Sequence, residues 1–257
     1  MSRIIWFFLP LLMSIWPGCQ RSTEPLTHQY AQTASADDSQ IADTIRALYT
    51  QDAERLALRY MIETHGRYNA PVEIPGHTIK RFYKALIRLY NADNLPGVNT
   101  ITCKYSIHTF PSPVMNILII GIDSTAQWKE NWQNGQRLTG NSGIDTLMTQ
   151  YHLQINRFSD FIDYDLAILT SNQNWNLYAL SKNFETVHGV RYAHPEVYAG
   201  SGNDIRATVH KDHIRLQFIK GWGDCPAGCT QNHFWEYVVT GKGRVIFMKQ
   251  YGSPLPE

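Results

Sequence analysis

The stretch from residue 221 to residue 229 reads Gly221-Trp222-Gly223-Asp224-Cys225-Pro226-Ala227-Gly228-Cys229. Three glycines, a proline and two of the four cysteines of the chain fall within it. On either side, over 213–219 and 234–239, apolar and polar residues alternate, and both runs contain the β-branched and aromatic residues that favour strands. The sequence therefore predicts two strands joined by a shaped loop, and loops of this length are commonly functional when they are ordered.

The two cysteines of this loop are the first candidates for chemistry. An exported chain meets oxidising conditions, in which neighbouring thiols pair, so we expect a disulfide between Cys225 and Cys229. One alternative is a zinc site in which His210 and His213 on the preceding strand join the two cysteines and His233 as ligands, and another is a pair of reduced thiols. Cys103 is expected to be a buried apolar residue, or else a rival disulfide partner of the loop.

Trp222, Asp224 and His233 are the candidate binding residues around the loop. Aromatic side chains here would suit stacking on a carbohydrate or a peptide, and they would also serve as an apolar core beneath the loop. The aromatic residues in question are Trp222, Trp235, Tyr237, Phe234 and Tyr251. We expect neither a metal nor an organic cofactor.

The first residues of the chain have the pattern of an export signal. Arg3 supplies a positive charge, and the apolar run over 4–16 is too short to span a bilayer as a helix. The run closes on Gly18-Cys19, which resembles the lipobox of bacterial lipoproteins, where the cysteine is acylated and becomes the first mature residue. We therefore expect residues 1–18 to be a signal peptide and Cys19 to be the lipidation site. Ordinary cleavage nearby and an uncleaved anchor are the alternatives.

The charge balance limits the classes of partner. Removal of residues 1–18 takes one arginine away, so that Lys plus Arg falls from 23 to 22 and equals Asp plus Glu. A neutral chain lacks the basic field that nucleic-acid-binding proteins present, and we expect no nucleic-acid partner. We expect residues 19–38 to form the lipid anchor, at Cys19, and a polar tether. Residues 39–257 are expected to form a single domain.

The folded part begins with helical periodicity over 39–100. Apolar residues recur at helical spacing from Ser39 to about Gly66, and again from His77 to Asn91. The second of these helices carries a basic stripe, which we interpret as a solvated face rather than as a membrane-surface or polyanion site. The residues of the stripe are Lys80, Arg81, Lys84 and Arg88.

The middle of the chain, over 105–196, alternates strand and helix patterns. Strands are predicted at 105–110, 114–122, 153–158, 165–170 and 189–193, and helices at 143–152 and 174–187. From the second strand onward the order is βαββαβ, which is the ferredoxin-like arrangement. The chain then continues into C-terminal hairpins over 205–251. We therefore predict an α+β fold in which N-terminal helices pack on a mainly antiparallel sheet that contains the ferredoxin-like unit and the C-terminal long-loop hairpin.

Two phrases of the sequence resemble known groups of proteins. The helix and the phrase Gly-Val-Arg-Tyr-Ala-His-Pro-Glu that end at Glu196 are similar to the close of subtilisin-type propeptide domains. That resemblance covers about residues 114–196 and implies a ferredoxin-like fold that binds a protease, although His194 and Glu196 depart from its pattern. The motif at 221–229, with Tyr-Gly-Ser-Pro-Leu-Pro at 251–256, resembles a group of Bacteroidetes-type lipoproteins. That likeness implies an envelope location, and it carries no activity.

Signatures of catalysis are weak. No G-x-S-x-G turn occurs, and Ser201 lies in a Gly-rich turn that we interpret as a surface connection or, with 192–198, as a binding rim. Five aspartates come from different elements and would have to converge to act as acid and base. They are Asp123, Asp145, Asp160, Asp163 and Asp165.

These observations favour a lipid-anchored, non-enzymatic cell-envelope protein that faces the periplasm or the cell surface and binds a protein or peptide. One rival hypothesis is an envelope hydrolase that acts on peptide or glycan through the converging carboxylates. The other is a structural component of the envelope.

Overall fold

The computed structural model describes residues 30–256. The predicted signal peptide and the lipidation site Cys19 lie outside the described residues, together with part of the tether. No helix in the described part of the chain is both long enough and apolar enough to cross a lipid bilayer.

The fold is α+β, as predicted. The strands are β1 (Ala31–Thr33), β2 (Ile117–Asp123), β3 (Gln154–Asp160), β4 (Tyr164–Thr170), β5 (Val190–Pro195), β6 (Asp204–Val209), β7 (His213–Trp222), β8 (Gln231–Thr240) and β9 (Arg244–Gly252). The helices are α1 (Asp43–His65), α2 (Gly76–Tyr90), α3 (Lys129–Gln133), α4 (Ser142–Gln150) and α5 (Leu177–Glu185). Short turns of π-helix and of 3-10 helix occur at Thr100–Lys104 and Cys225–Ala227.

One antiparallel sheet contains the predicted ferredoxin-like unit. Its strand order is β3-β4-β2-β5, which brings the first and third strands of the βαββαβ unit together at the centre of the sheet. Alternate residues of β2, namely Leu118, Ile120 and Ile122, are buried in one apolar cluster with Met148 of α4 and Leu180 of α5. The period-2 pattern of the strands and the apolar stripes of the helices thus meet on one face of the sheet.

A second antiparallel sheet has the order β1-β9-β8-β7-β6, so the strands form two sheets and not the single sheet that the pattern predicts. The division comes after Pro195, where the ferredoxin-like unit ends and the chain leaves the first sheet. Strands β7 and β8 pair along their whole length. Leu56 of α1 and Leu86 of α2 are buried in one apolar cluster with Phe218 and Tyr237 of this sheet.

The predicted strand over 105–110 does not form. Two of its backbone amides donate to side chains instead of to a neighbouring strand. The amide of Thr109 donates to Asp52 of α1 at 2.7 Å, and the amide of Phe110 donates to Asp204 at 2.8 Å. Ile107 is buried in the core between the helices and the five-stranded sheet. The alternation of residues here therefore reflects one-sided burial and not strand pairing.

Most of the buried apolar residues of the described chain fall into two clusters, one for each sheet. Asn176 is fully buried, and its side-chain amide donates to the carbonyl oxygens of Arg67 and Ala70. This contact ties α5 of the ferredoxin-like unit to the segment after α1. A single cooperative domain over 39–257 stays a prediction, because a chain with two cores unfolds in one step only when the cores are strongly coupled.

Candidate functional site

The loop between β7 and β8 is closed by a disulfide between Cys225 and Cys229. The predicted pairing is therefore confirmed, and both thiols that the alternative zinc site needs are occupied. His213 lies opposite Thr240, at the end of β7 that is remote from this loop. Among residues 30–256, no group of three or more His, Cys, Asp or Glu side chains has metal-binding geometry.

Cys103 is exposed and free, so the predicted burial of Cys103 and its rival pairing with the loop are both wrong. Cys103 lies on the π-helical turn, where the buried position is taken by Ile101. The Sγ atom of Cys103 is 3.5 Å from Oγ1 of Thr102. An apolar residue two positions away thus fills the place that the sequence pattern assigns to the cysteine.

The Gly-rich turn from Gly200 to Asn203 packs directly on the disulfide loop. The amide of Ser201 donates to the carbonyl oxygen of Cys225 at 2.9 Å. The Oγ atom of Ser201 accepts a hydrogen bond from the amide of Cys229 at 2.7 Å. One serine therefore binds both ends of the disulfide loop, and its hydroxyl has a structural partner rather than a general base.

Glycine is required at two points of this contact. A Cβ atom on Gly200, whose φ is 83°, would lie 2.3 Å from the carbonyl oxygen of Cys225. A Cβ atom on Gly221 would lie 2.7 Å from Sγ of Cys229. Both distances are far below van der Waals contact, so the turn and the loop approach more closely than a larger residue permits. This packing explains why the motif has glycine at position 221.

A groove of about 330 Å³ lies beside the turn, and we call it the turn groove. The apolar side chains of Phe110, Ile219 and Phe234 line it. Ile219 and Phe234 are partners across β7 and β8. The remaining lining residues are Arg59, Gly200, Ser201, Gly202, Asp204, Arg206 and Asn232.

Three charged side chains lie along the turn groove. Nη1 of Arg59 donates to Oδ1 of Asp204 at 2.8 Å, and Nε of Arg206 lies 3.5 Å from Oδ2 of Asp204. The Asp204 side chain is 14% exposed, whereas that of Arg206 is 66% exposed. Arg59 also donates to the carbonyl oxygens of Ile205 and Phe110. Two guanidinium groups against one carboxylate give the groove a net positive charge, and Arg206 carries that charge to the surface.

The aromatic ring of Phe234 is fixed by stacking. It lies 4.9 Å from the ring of Tyr251, with an interplanar angle of 19°. The Tyr251 hydroxyl donates to Oε1 of Glu236 at 2.9 Å. Burial raises the pKa of Tyr251, and the hydrogen bond to Glu236 raises it further. Tyr251 therefore stays neutral at physiological pH and keeps its donor role.

The three predicted binding residues lie near the turn groove but do not line it. The register of β7 and β8 places Trp222 and His233 on the sheet face of Trp235, which is opposite to the face of Phe234. Asp224 is exposed in the disulfide loop. The ring nitrogen Nδ1 of His233 is 2.8 Å from the carbonyl oxygen of Ser253. A binding role for Trp222, Asp224 and His233 stays a prediction.

The predicted basic stripe of α2 faces the turns of the five-stranded sheet. Arg81, Lys84 and Arg88 line a cavity of about 260 Å³ at these turns. Arg81 donates to the carbonyl oxygen of His210 at 3.1 Å, and Arg88 donates to that of Thr240 at 3.3 Å. Two of its arginines thus join the helix to the sheet, in addition to facing solvent as the pattern predicts.

Four of the five candidate carboxylates have a hydrogen-bond or ion-pair partner. Asp123 accepts hydrogen bonds from the amide and hydroxyl of Thr125, and Asp145 accepts from residues 139 and 140 at the start of α4. Asp165 is buried and pairs with Lys129. Asp163 lies in the turn that follows β3. Asp160 ends β3 directly opposite Asp165 of β4, and it accepts from Nε2 of Gln133 at 3.2 Å. The structure thus brings Asp160 and Asp165 together, each bonded to a side chain of α3, whereas Asp123 and Asp145 have partners elsewhere.

Sequence reasoning missed Arg59, Phe110 and Arg206 as residues of the groove. Arg59 is 145 positions away from its partner Asp204, so no local pattern links them. The sequence does contain one indication of a polar site on α1. Asp52, Arg55 and Arg59 recur at helical spacing and thus share one face of the helix. Comparison with known proteins adds nothing to this geometry: no family model, no curated protein and no solved structure matches the chain.

Proposed function

We propose that this protein binds a segment of another protein in the turn groove and performs this role in the bacterial cell envelope. One observation carries the proposal. A groove with an apolar lining and an exposed arginine lies beside a turn that the disulfide loop holds through Ser201. A covalently closed support keeps the groove in shape before the partner arrives, and a preformed site loses less entropy on binding.

The lining indicates the chemistry of the bound segment. Phe110, Ile219 and Phe234 offer contacts to an apolar side chain. The exposed guanidinium of Arg206 suits a carboxylate, because arginine binds carboxylates through paired N–H donors. The segment that fits best therefore carries one apolar side chain next to an acidic side chain or a C-terminal carboxylate.

The chain beside the turn groove also has exposed apolar side chains. Val197 is 57% exposed and Tyr198 is 50% exposed. Tyr198 is two residues from Gly200, which places it within about 7 Å of the groove along the chain. Neighbouring exposed apolar side chains are a common property of protein-binding surfaces, and tyrosine is enriched there.

The envelope location rests on the sequence. The apolar run over 4–16, the lipobox-like Gly18-Cys19 and the polar residues that follow are the features that support it. In this proposal the acyl chains on Cys19 hold the protein on a membrane, and the folded part extends from the tether on the periplasmic side or at the cell surface. The disulfide between Cys225 and Cys229 agrees with an oxidising compartment.

A photo-crosslinking experiment tests the proposal in intact cells. A benzoylphenylalanine is introduced in place of Tyr198, and in a second strain in place of Tyr68, which is 49% exposed and serves as the matched control. We expect a discrete adduct with another protein from position 198 and none from position 68. We also expect the adduct to be found with membranes for the normal chain and in the soluble fraction for Cys19→Ala.

Two results would count against the proposal. Equal adducts from positions 198 and 68 would mean that the crosslinks report chance encounters at the surface. The absence of an adduct at position 198 would favour a structural component of the envelope without a discrete ligand. If Cys19→Ala still fractionates with membranes, the lipid anchor is contradicted, but binding in the turn groove is not.

A further inference from the structure

A serine, a histidine and an aspartate form a chain of hydrogen bonds away from the turn groove. Oγ of Ser106 lies 3.2 Å from Nε2 of His108. Nδ1 of the same histidine lies 2.7 Å from Oδ2 of Asp52. The three side chains thus have the order nucleophile, base and orienting carboxylate that a catalytic triad requires.

The carboxylate of Asp52 fixes the tautomer of His108. The Asp52 side chain is only 2% exposed, and its Oδ1 accepts from both the amide and the hydroxyl of Thr109 at 2.7 Å. An ionised carboxylate only accepts hydrogen bonds, so the proton between Asp52 and His108 is on Nδ1. In neutral His108 the lone pair of Nε2 then faces Ser106, whose hydroxyl donates to it.

Ser106 itself has an unusual backbone. Its φ is 43°, in the left-handed region that residues with a side chain rarely adopt, and such outliers cluster at active sites. Ser106 is exposed, and the His108 side chain is 24% exposed. The ring of Tyr49 lies 5.6 Å from the ring of His108 and packs beside it. Ser106 is therefore accessible to solvent, whereas His108 packs against Asp52 and Tyr49 of α1.

A purely structural role explains only part of this arrangement. The bonds from Asp52 to Thr109 and His108 hold the segment 105–110 on α1, as described above. They do not require a serine at position 106, because its hydroxyl bonds to His108 within the same segment and not to the helix itself. The left-handed backbone at this position would also favour glycine.

We propose that Ser106, His108 and Asp52 form a nucleophilic site that cleaves carboxylic esters. Oγ of Ser106 attacks the carbonyl carbon as its proton passes to Nε2 of His108. The bond to the alcohol breaks, and the leaving alcohol takes that proton. Water then attacks the acyl carbon and gives a proton to His108, after which the bond to Oγ breaks and Oγ regains the proton. The products are the alcohol and the carboxylic acid.

This activity goes beyond the proposed binding function and departs from the non-enzymatic role that the sequence favours. Because Ser106 is exposed, the fitting substrate is an ester at the surface of a larger molecule rather than a ligand enclosed in a cavity. The ester site does not depend on the turn groove. Asp52 and Arg59 are seven residues apart on α1, which corresponds to about 10 Å along a helix.

A fluorophosphonate probe tests the site on the purified full-length protein. Oγ of an activated serine displaces fluoride from phosphorus, so the adduct marks a serine with a working base. We expect one adduct, assigned to Ser106 by peptide mass spectrometry. The variant Ser106→Gly, which keeps the left-handed backbone, should lose it. His108→Ala should slow the labelling about 100-fold or more, which is the usual contribution of a general base.

The matched control is Ser39→Ala. The Ser39 hydroxyl is exposed and donates to a carboxylate of Asp37 at 3.1 Å, without an imidazole beside it. This variant should be labelled as fast as the normal protein, and hydrolysis of p-nitrophenyl acetate should follow the labelling in all the variants. Absence of labelling in the normal protein, or labelling that persists in Ser106→Gly, would overturn the proposal. Circular dichroism shows whether each variant is folded.

Discussion

The variant Asp52→Ala is expected to be less stable than the normal protein by about 3–5 kcal/mol in the free energy of unfolding. The carboxylate of Asp52 accepts hydrogen bonds from the amide and hydroxyl of Thr109 and lies 2.7 Å from Nδ1 of His108. Its removal leaves buried donors without an acceptor and releases the segment 105–110 from α1. Urea unfolding followed by tryptophan fluorescence measures the effect.

The matched control is Asp37→Ala, which removes an exposed carboxylate near the start of the folded part. The carboxylate of Asp37 accepts from Ser39 two residues away, and its loss should leave the midpoint of unfolding unchanged. Equal effects of the two substitutions would mean that Asp52 does not hold the segment. The variant Asp52→Asn keeps one acceptor oxygen and should lie between Asp52→Ala and the normal protein.

The second large effect is expected for Trp235→Ala, which should lower the free energy of unfolding by about 3–5 kcal/mol. Trp235 is 1% exposed, and a Cβ atom on Gly97 would lie 2.6 Å from its ring. The ring therefore fills a tightly enclosed space between the five-stranded sheet and the loop after α2. Thermal unfolding monitored by circular dichroism measures the loss.

Trp222→Ala is the control for Trp235→Ala, because it removes the same side chain from the sequence motif itself. Trp222 is half-buried at the end of β7, and its loss should cost less than about 1 kcal/mol. The pattern of the sequence suggests that both tryptophans pack beneath the disulfide loop. A cost at position 222 as large as that at position 235 would restore that interpretation.

Much of the fold follows from local patterns in the sequence. The ferredoxin-like unit is predicted correctly because its strands and helices each bury one face, so that periods of 2 and 3.6 are visible in the residues. The helix ending near Gly66 is also correct, because this glycine has a φ of 80° that ends a helix readily. The disulfide loop is predicted from the cysteine spacing and the expected compartment.

The rest of the fold depends on contacts between distant residues. The segment 105–110 alternates like a strand, but the amide of Thr109 donates to Asp52, 57 positions earlier, and the amide of Phe110 donates to Asp204, 94 positions later. Nothing near residue 105 indicates these carboxylates. The division into two sheets is likewise set by which strands meet, and strand patterns do not carry that information.

Local sequence patterns also fail to show which residues form the candidate sites. The aromatic residues around the loop are adjacent in sequence, yet alternation along β8 sends Phe234 to the turn groove and Trp235 to the core. Ser106 has no G-x-S-x-G context, and its partner Asp52 lies on a helix 56 positions before His108. The G-x-S-x-G motif identifies a nucleophilic serine by the strained turn that carries it. Ser106 lies in a turn of a different sequence, so this motif does not identify it.

In the proposed function, the turn groove binds a protein segment that carries an apolar and an acidic group. Peptides selected from a random display library on the purified protein test this binding, and their affinity is measured by fluorescence anisotropy. We expect Arg206→Glu to weaken the selected peptides at least tenfold, or about 1.4 kcal/mol. Lys242→Glu makes the same charge change in the exposed turn after β8 and should leave the affinity unchanged. Equal affinities of the two variants, or a library that yields no binder, would contradict the proposed binding.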